Sequence, residues 1–116
     1  MLDVGDDFGC TGDTVLSVQH HVVIGNHNLW SYQNIVMDND GHSIFDENGN
    51  RINRPKAIQF GDHVWMGCGC LVLKGSVIPD GTIVAAGSKI SGRLTGDNNI
   101  VTDKGKVLKS NISWKE

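Results

Sequence analysis

One histidine of this 116-residue chain stands in a setting that suits proton transfer. His42 ends the polar stretch Asp38-Asn39-Asp40-Gly41-His42, so two carboxylates precede it closely in the sequence. Histidine is the side chain best able to take up a proton near neutral pH, and a nearby carboxylate can orient the ring or favour its charged form. The stretch makes His42 a candidate general base, with Asp38 and Asp40 as candidate orienting or acceptor-side groups. A plain surface histidine in a polar loop is the simpler alternative.

The other histidines and the cysteines give weaker signals. Four further histidines are scattered along the chain: His20, His21, His27 and His63. Their spacings show no regular ligand pattern, whereas a zinc site needs three converging ligands. Cys68 and Cys70 form a Cys-x-Cys pair, but no second cysteine pair accompanies it. The chain has three cysteines, and this odd number also argues against a disulfide framework, so we expect structural thiols and no bound metal.

A possible ligand surface lies further along the chain. Trp65 occupies a position that should face outward, where it could be a ligand platform or a subunit contact. The stretch Ala85-Ala86-Gly87 carries almost no side chain, so a long thin ligand could lie close to its backbone. Lys89 and Arg93 are the nearby cations that could meet a phosphate group. A simple fit of small residues at a corner explains the alanines equally well.

These residues belong to a six-residue repeat that runs without a slip from Phe60 to Thr95. An apolar residue opens every unit: Phe60, Met66, Val72, Ile78, Val84 and Ile90. The fifth residue is small or β-branched in the first five units, which have Val64, Cys70, Ser76, Thr82 and Ser88. The last unit has the larger Leu94 at this position. This period does not match an α-helix, but it fits short strands joined by tight corners. Three such strands close one triangular coil, and stacked coils bury a continuous core.

The repeat divides the chain into coils and insertions within a single domain. Coils are expected over about 4–36 and 58–95, with a widened corner near Gln19 to His21 where the phase slips. A polar loop over about 37–57 interrupts the coils, and a tail over 96–116 is expected to cap the last one.

The interrupting loop carries His42. The turn signal Glu47-Asn48-Gly49-Asn50 predicts a small hairpin tip within the loop. Ile44, Phe45 and Ile52 are expected to pack and to order it. Insertions in repeat proteins map to loops on one face, which is often the binding face.

Composition excludes several functional classes. The net charge is −3 with both signs interspersed, so no basic surface for nucleic acid or an anionic membrane is present. The apolar runs are only a few residues long, which predicts no membrane insertion, and no secretory signal is recognisable. We therefore expect a cytoplasmic protein.

With these motifs in place, the sequence resembles the hexapeptide-repeat acyltransferases. It looks closest to the branch that O-acetylates sugars of capsules and lipopolysaccharides. The resemblance is carried by four motifs: DNDGHSIFD followed by NGNRIN (38–53), GDHVWMG (61–67), LKGSVIPDGTIVAAGS (73–88) and NISW (111–114). Together they extend over most of the chain.

The resemblance implies an all-β fold, a left-handed parallel β-helix, that assembles as a homotrimer with active sites between subunits. The substrates would be acetyl-CoA and a hydroxyl of a sugar or glycan, with no metal. His42 matches the general base, and Trp65 matches a tryptophan beside the acyl donor or acceptor. The positions matching those that line the coenzyme in relatives are Cys68, Ala86, Ser91 and Gly92. Because relatives commonly have lysine where this chain has Gly92, Arg93 or Lys89 would supply the cation.

Two other functions fit the same repeat. A non-catalytic trimeric β-helix module is suggested by that missing lysine and by Thr102-Asp103-Lys104-Gly105, which replaces a Gly-Asn-Pro-Ala of relatives. A metal-dependent, carbonic-anhydrase-like hydratase is the less favoured alternative, and stoichiometric zinc in the purified protein would support it.

Overall fold

The computed structural model describes residues 1–116 and winds them into a left-handed parallel β-helix, as predicted. The first two coils contain β1 (Leu2–Val4), β2 (Gly9–Gly12), β3 (Val15–Ser17), β4 (Val22–Ile24), β5 (Leu29–Tyr32) and β6 (Ile35–Met37). After the insertion, two further coils contain β7 (Ile58–Phe60), β8 (Trp65–Met66), β9 (Leu71–Leu73), β10 (Val77–Ile78), β11 (Ile83–Val84) and β12 (Lys89–Ile90). The chain closes with β13 (Ile100–Val101), a 3-10 turn (Asp103–Gly105) and β14 (Val107–Lys109). No helix here has the length and apolar character needed to cross a bilayer.

The strands form three sheets, one on each side of the coil. Sheet A is β1-β4-β7-β10, sheet B is β2-β5-β8-β11-β13-β14, and sheet C is β3-β6-β9-β12. All pairings are parallel except the one between β13 and β14, which is antiparallel. Equivalent repeat positions stack on one another, so that Ile24 pairs with Val4 on one side and Phe60 on the other.

The inward positions predicted from the repeat form the core. All the unit-opening residues from Phe60 to Ile90, and the fifth-position residues from Val64 to Ser88, are at most 1% exposed. Trp30 of the second coil is the largest buried side chain, and its ring centroid lies 4.7 Å from that of Phe60. Val4 opens the first coil but is exposed, because that coil has a neighbouring coil on one side only.

A ladder of side chains stitches the corner between sheets A and B. The Oδ1 atom of Asn26 accepts the N–H of Asp6, that of Asp62 accepts the N–H of Asn26, and that of Asp80 accepts the N–H of Asp62. These hydrogen bonds are 2.7–2.8 Å long. The coils approach this closely because glycine precedes each of the first three rungs. A Cβ atom on Gly61 would lie 2.7 Å from the backbone nitrogen of Asp80 and would also meet its carboxylate.

We therefore expect Gly61→Ala to lower the free energy of unfolding by about 1–3 kcal/mol, the usual cost of overpacking. Urea denaturation followed by circular dichroism would measure the loss. Gln59→Ala, on an exposed outward position of the preceding strand, should change stability by less than about 0.5 kcal/mol. Equal stabilities for the two variants would contradict the ladder as a requirement of coil stacking.

The insertion leaves the β-helix at the corner between sheets C and A and forms a hairpin, which we call the arm (residues 38–57). Phe45 and Arg51 pair in antiparallel fashion, and the N–H of Asp46 donates to the carbonyl of Asn50, so the predicted hairpin tip is present. The expected packing of its apolar side chains is not found within the chain. Instead, these side chains are 51–62% exposed: Ile44, Phe45 and Ile52.

Candidate active site

The predicted general base projects from the arm. His42 is exposed, and its imidazole makes no hydrogen bond within the chain. Its backbone is held firmly by Asn53, whose Nδ2 donates to the carbonyl of His42 over 2.7 Å. The Oδ1 atom of the same amide accepts the N–H of Ile44 over 2.6 Å, so one buried asparagine fixes the backbone on both sides of Ser43.

The Asp38 carboxylate caps the widened corner of the first coil. It is completely buried and accepts the N–H groups of Gln19, His20 and His21 over 2.7–2.8 Å, as well as the Nδ2 of Asn39. Burial on its own would raise the pKa of Asp38, but these donors outweigh it, and the pKa is lowered from the ordinary value. The widened corner, which the slip of phase in the repeat predicted, is thus closed by the first residue of the arm.

The Asp40 carboxylate fastens the arm to the next coil. It pairs with Lys74 and accepts the Nδ2 of Asn53 over 3.0 Å. The hydrogen bond from Lys74 is the main reason that the pKa of Asp40 lies below its ordinary value. Asp38 and Asp40 therefore both hold the root of the arm, and neither touches the His42 imidazole in the single chain. Their role in orienting that ring stays a prediction.

Trp65 lies on the outer face of sheet B, as expected for its place in the repeat. Its neighbours on the adjacent strands are Leu29 and Ile83, which extend an apolar column along the sheet. The ring is 38% exposed, so one side of it is open to a ligand or to another chain. Sheet B is also the side opposite the corner from which the arm departs.

Some of the predicted coenzyme residues meet at the corner between sheets B and C. Cys68 and Ala86 occupy equivalent places in successive coils, and the N–H of Gly87 donates to the carbonyl of Cys68 over 2.8 Å. Cys70 points inward instead, and burial raises the pKa of its thiol. No group of three or more His, Cys, Asp or Glu residues in the chain is arranged to hold a metal ion.

A shallow depression of about 260 Å³ adjoins this corner. It is lined by Gly87, Lys89, Asp103 and Lys104. The Asp103 carboxylate accepts the backbone N–H of Lys89 over 2.8 Å. The cations of the depression are the ammonium groups of Lys89 and Lys104.

The remaining predicted residues lie across sheet C. Ser91, Gly92 and Arg93 follow β12 and reach the corner between sheets C and A, where Arg93 forms a bridge with Val77. The chain therefore splits the predicted set between two corners. Sheet B and its corner with sheet C hold Trp65, Cys68, Ala86 and Lys89. The corner between sheets C and A holds the arm and residues 91–93.

Sequence reasoning gave no role to several residues of this region. Asn53 and Lys74 hold the arm, and Lys104 lines the depression beside Lys89. In the tail, Trp114 packs beside Trp65, where the ring centroids are 6.0 Å apart. The two aspartates among the first three residues of the arm were the one signal that could have pointed to a basic partner such as Lys74.

Comparison with known proteins supports the resemblance. No protein-family profile matches the chain. The polysialic acid O-acetyltransferase of Neisseria meningitidis is 32% identical over 65 residues, which make up 55% of this chain and 30% of that protein. The crystal structure of the polysialic acid O-acetyltransferase OatWY superimposes with a TM-score of 0.90 at 26% identity, over 99% of this chain and 56% of that one. The polySia-specific acetyltransferase NeuO gives a TM-score of 0.83 at 26% identity, over 99% and 50%.

The chain thus spans about half the length of these solved structures. Its fold agrees with theirs over nearly every residue. In fold and in sequence, the protein resembles the hexapeptide-repeat O-acetyltransferases, including those named for polysialic acid.

Proposed function

We propose that the protein is an O-acetyltransferase that moves an acetyl group from acetyl-CoA to a hydroxyl of a sugar or glycan. The active site lies between subunits of a homotrimer and uses His42 as its general base. The observation that carries this proposal is the division of the predicted site within one chain. The arm leaves from one corner of the β-helix, and Trp65 lies on the side opposite that corner.

A neighbouring subunit resolves this division. Suppose that the arm of one subunit reaches sheet B of the next. The first subunit then contributes His42 and residues 91–93, and the second contributes Trp65 and the corner between its sheets B and C. Apolar surface is available for such contacts on the arm, where Ile44, Phe45 and Ile52 are exposed in the single chain. It is also available on the outer face of sheet C, where Val15, Ile35 and Leu71 form a column. Contiguous exposed apolar surface of this kind typically marks a protein interface.

The chemistry assigned to His42 is proton transfer. The neutral imidazole accepts the proton of the acceptor hydroxyl as that oxygen attacks the thioester carbonyl of acetyl-CoA. A new C–O bond forms, the C–S bond breaks as the tetrahedral intermediate collapses, and the imidazolium returns its proton to the departing thiolate of CoA. The rigid root of the arm supports this role, because Asn53 and Asp40 hold the backbone that carries the histidine. Positioning of this kind lowers the entropic part of the barrier.

The sheet B–C corner is suited to the coenzyme. Ala86 and Gly87 leave the backbone accessible to a thin chain, and Cys68 lies directly below them. Lys89 and Lys104 supply two ammonium groups beside the depression, which suits the phosphates of acetyl-CoA. Arg93 and its neighbours Ser91 and Gly92 would reach the same molecule from an adjacent subunit.

Isothermal titration of the protein with acetyl-CoA, and with CoA alone as the comparison, tests this proposal. We expect micromolar affinity for acetyl-CoA. Lys104→Ala should weaken binding about threefold to fivefold, because it removes one exposed charge–phosphate contact. Lys109→Ala removes an exposed charge that does not line the depression, so it should leave the affinity unchanged.

The absence of any binding by the wild-type protein would contradict the acetyltransferase proposal and favour a non-catalytic trimeric module. Binding that is equally strong in the Lys104→Ala variant would leave the reaction in place but would contradict the position assigned to the phosphates.

A further inference from the structure

The C-terminal tail is fastened across the corner between sheets A and B. The N–H of Ile112 donates to the carbonyl of Asn98 over 3.0 Å. Two residues later, Trp114 is only 8% exposed, although the residues on both sides of it are exposed. The tail therefore buries one large side chain against the outside of the β-helix rather than in its core.

Trp114 forms a double hydrogen bond with His63. Its indole Nε1 donates to the carbonyl of His63, and its own carbonyl accepts from the Nε2 of His63, each over 2.9 Å. Because a carbonyl only accepts, Nε2 carries a hydrogen in this contact. The two rings are stacked with centroids 3.9 Å apart and planes within 4° of parallel. His63 itself is fixed by the corner, where its φ is +56°.

Trp114 also contacts Trp65 on the outer face of sheet B. The Trp114 ring lies 6.0 Å from the Trp65 ring at an interplanar angle of 49°, within the range in which aromatic pairs attract one another. Leu29 and Ile83 flank Trp65 along the sheet, so Trp114 is the aromatic contact that fixes the ring from the corner side. The position of Trp114 is set in turn by His63, a backbone-anchored residue that belongs to the same coil as Trp65.

We propose that Trp114 is a positioning residue that holds the Trp65 ring in the orientation required at the acyl-transfer site. The inference rests on the proposed function, because that function places Trp65 of sheet B beside the substrates. An outward-facing tryptophan with one open side has rotamers to choose from. The tail is hydrogen-bonded to the corner between sheets A and B at both Asn98 and His63, so that Trp114 selects one rotamer of Trp65.

Fluorine NMR of the protein labelled with 5-fluorotryptophan tests this inference without any substrate. The chain has three tryptophans, so three resonances are expected, and Trp30→Phe and Trp65→Phe variants assign them. In Trp114→Ala, we expect the Trp65 resonance to shift and broaden, whereas the resonance of the buried Trp30 stays in place. Lys115→Ala is the matched control, because it changes an exposed neighbour in the tail and should leave all three resonances unchanged.

Kinetics then separate positioning from a general loss of structure. We expect Trp114→Ala to lower kcat/KM about 10-fold to 100-fold, the scale of a misplaced site group, and Trp114→Phe to recover part of the loss by restoring a ring. The double variant Trp65→Ala/Trp114→Ala should be no slower than Trp65→Ala alone, because Trp114 acts through Trp65. Trp114 lies outside the continuous core of the coils, so Trp114→Ala should lower the thermal transition but keep it cooperative, and Trp114→Phe should recover part of that loss as well.

A Trp65 resonance that is unchanged in Trp114→Ala would overturn the proposal, as would additive losses in the double variant. Because the NMR measurement needs no acetyl transfer, a protein that lacks transferase activity but shows the shift would contradict the proposed function alone.

Discussion

Replacing His42 by alanine is expected to slow acetyl transfer by about 10²–10⁴-fold, which is the usual contribution of a general base. The imidazole is exposed and makes no hydrogen bond in the chain, so its removal should leave the stability unchanged. The rate is measured by release of the CoA thiol in the presence of sugar or glycan acceptors. His27→Ala is the matched control, because it removes another exposed histidine that lies at a corner away from the arm. A His42→Ala enzyme with wild-type rate would end the assignment of this residue as the base.

Mixed trimers extend this result to the division of the site between subunits. Co-expression of His42→Ala chains with Trp65→Ala chains should restore part of the activity that each variant lacks alone. In a random mixture, roughly a quarter of the shared sites would combine an intact His42 with an intact Trp65 from the neighbouring subunit. If no mixture regains activity, then both residues belong to one subunit, and the arrangement that we propose is wrong.

Asp38→Ala is expected to lower the free energy of unfolding at pH 7 by about 3 kcal/mol or more, since several buried donors lose their acceptor at once. The side chain is 0% exposed and closes the corner formed by Gln19, His20 and His21. Urea denaturation measures the loss. Asp97→Ala removes an exposed carboxylate that has no hydrogen-bond partner, so it should have little effect.

The effect of Asp38→Ala should depend on pH with a definite sign. The pKa of Asp38 in the folded protein is lowered from its ordinary value of 3.8, so the stability it provides is present above that value. This stability is lost as the pH falls through the lowered pKa, because the carboxyl group is then protonated in both states. The difference between the wild type and the variant should therefore be large at neutral pH and shrink in acid. A difference that stays constant down to pH 2 would contradict the role of the charged carboxylate.

The repeat made most of the fold predictable. An apolar residue every six positions leaves one inward direction for each strand, so the stacking of Ile24, Phe60 and Ile78 follows once the period is recognised. The widened corner near His20 was also visible, because the phase slips there. A hairpin tip followed from Asn48 and Gly49, which are typical turn residues.

The contacts that hold the candidate site were less visible, because they join residues far apart in the chain. Asp38 could be suspected near His42 from sequence proximity, yet its carboxylate accepts a hydrogen bond from Gln19 and none from His42. Trp114 and His63 are 51 residues apart and are joined through a tail that has no repeat. Such pairs depend on where a non-periodic segment lands, and the period gives no information about that.

The hydrogen bond between Lys56 and Asp38 has a further consequence for the evolution of this surface. The N–H of Lys56 donates to the carbonyl of Asp38 over 2.9 Å, so the two ends of the arm meet where an ordinary corner would stand. The coils on either side therefore need nothing from the intervening residues except closure, and the entropic cost of closure rises only by about 0.6 kcal/mol for each doubling of length. The arm is in this sense an exchangeable cassette. Under the proposed function, recombination or insertion at this one corner would change the choice of acceptor, while the scaffold and the coenzyme-binding corner that we propose would stay as they are.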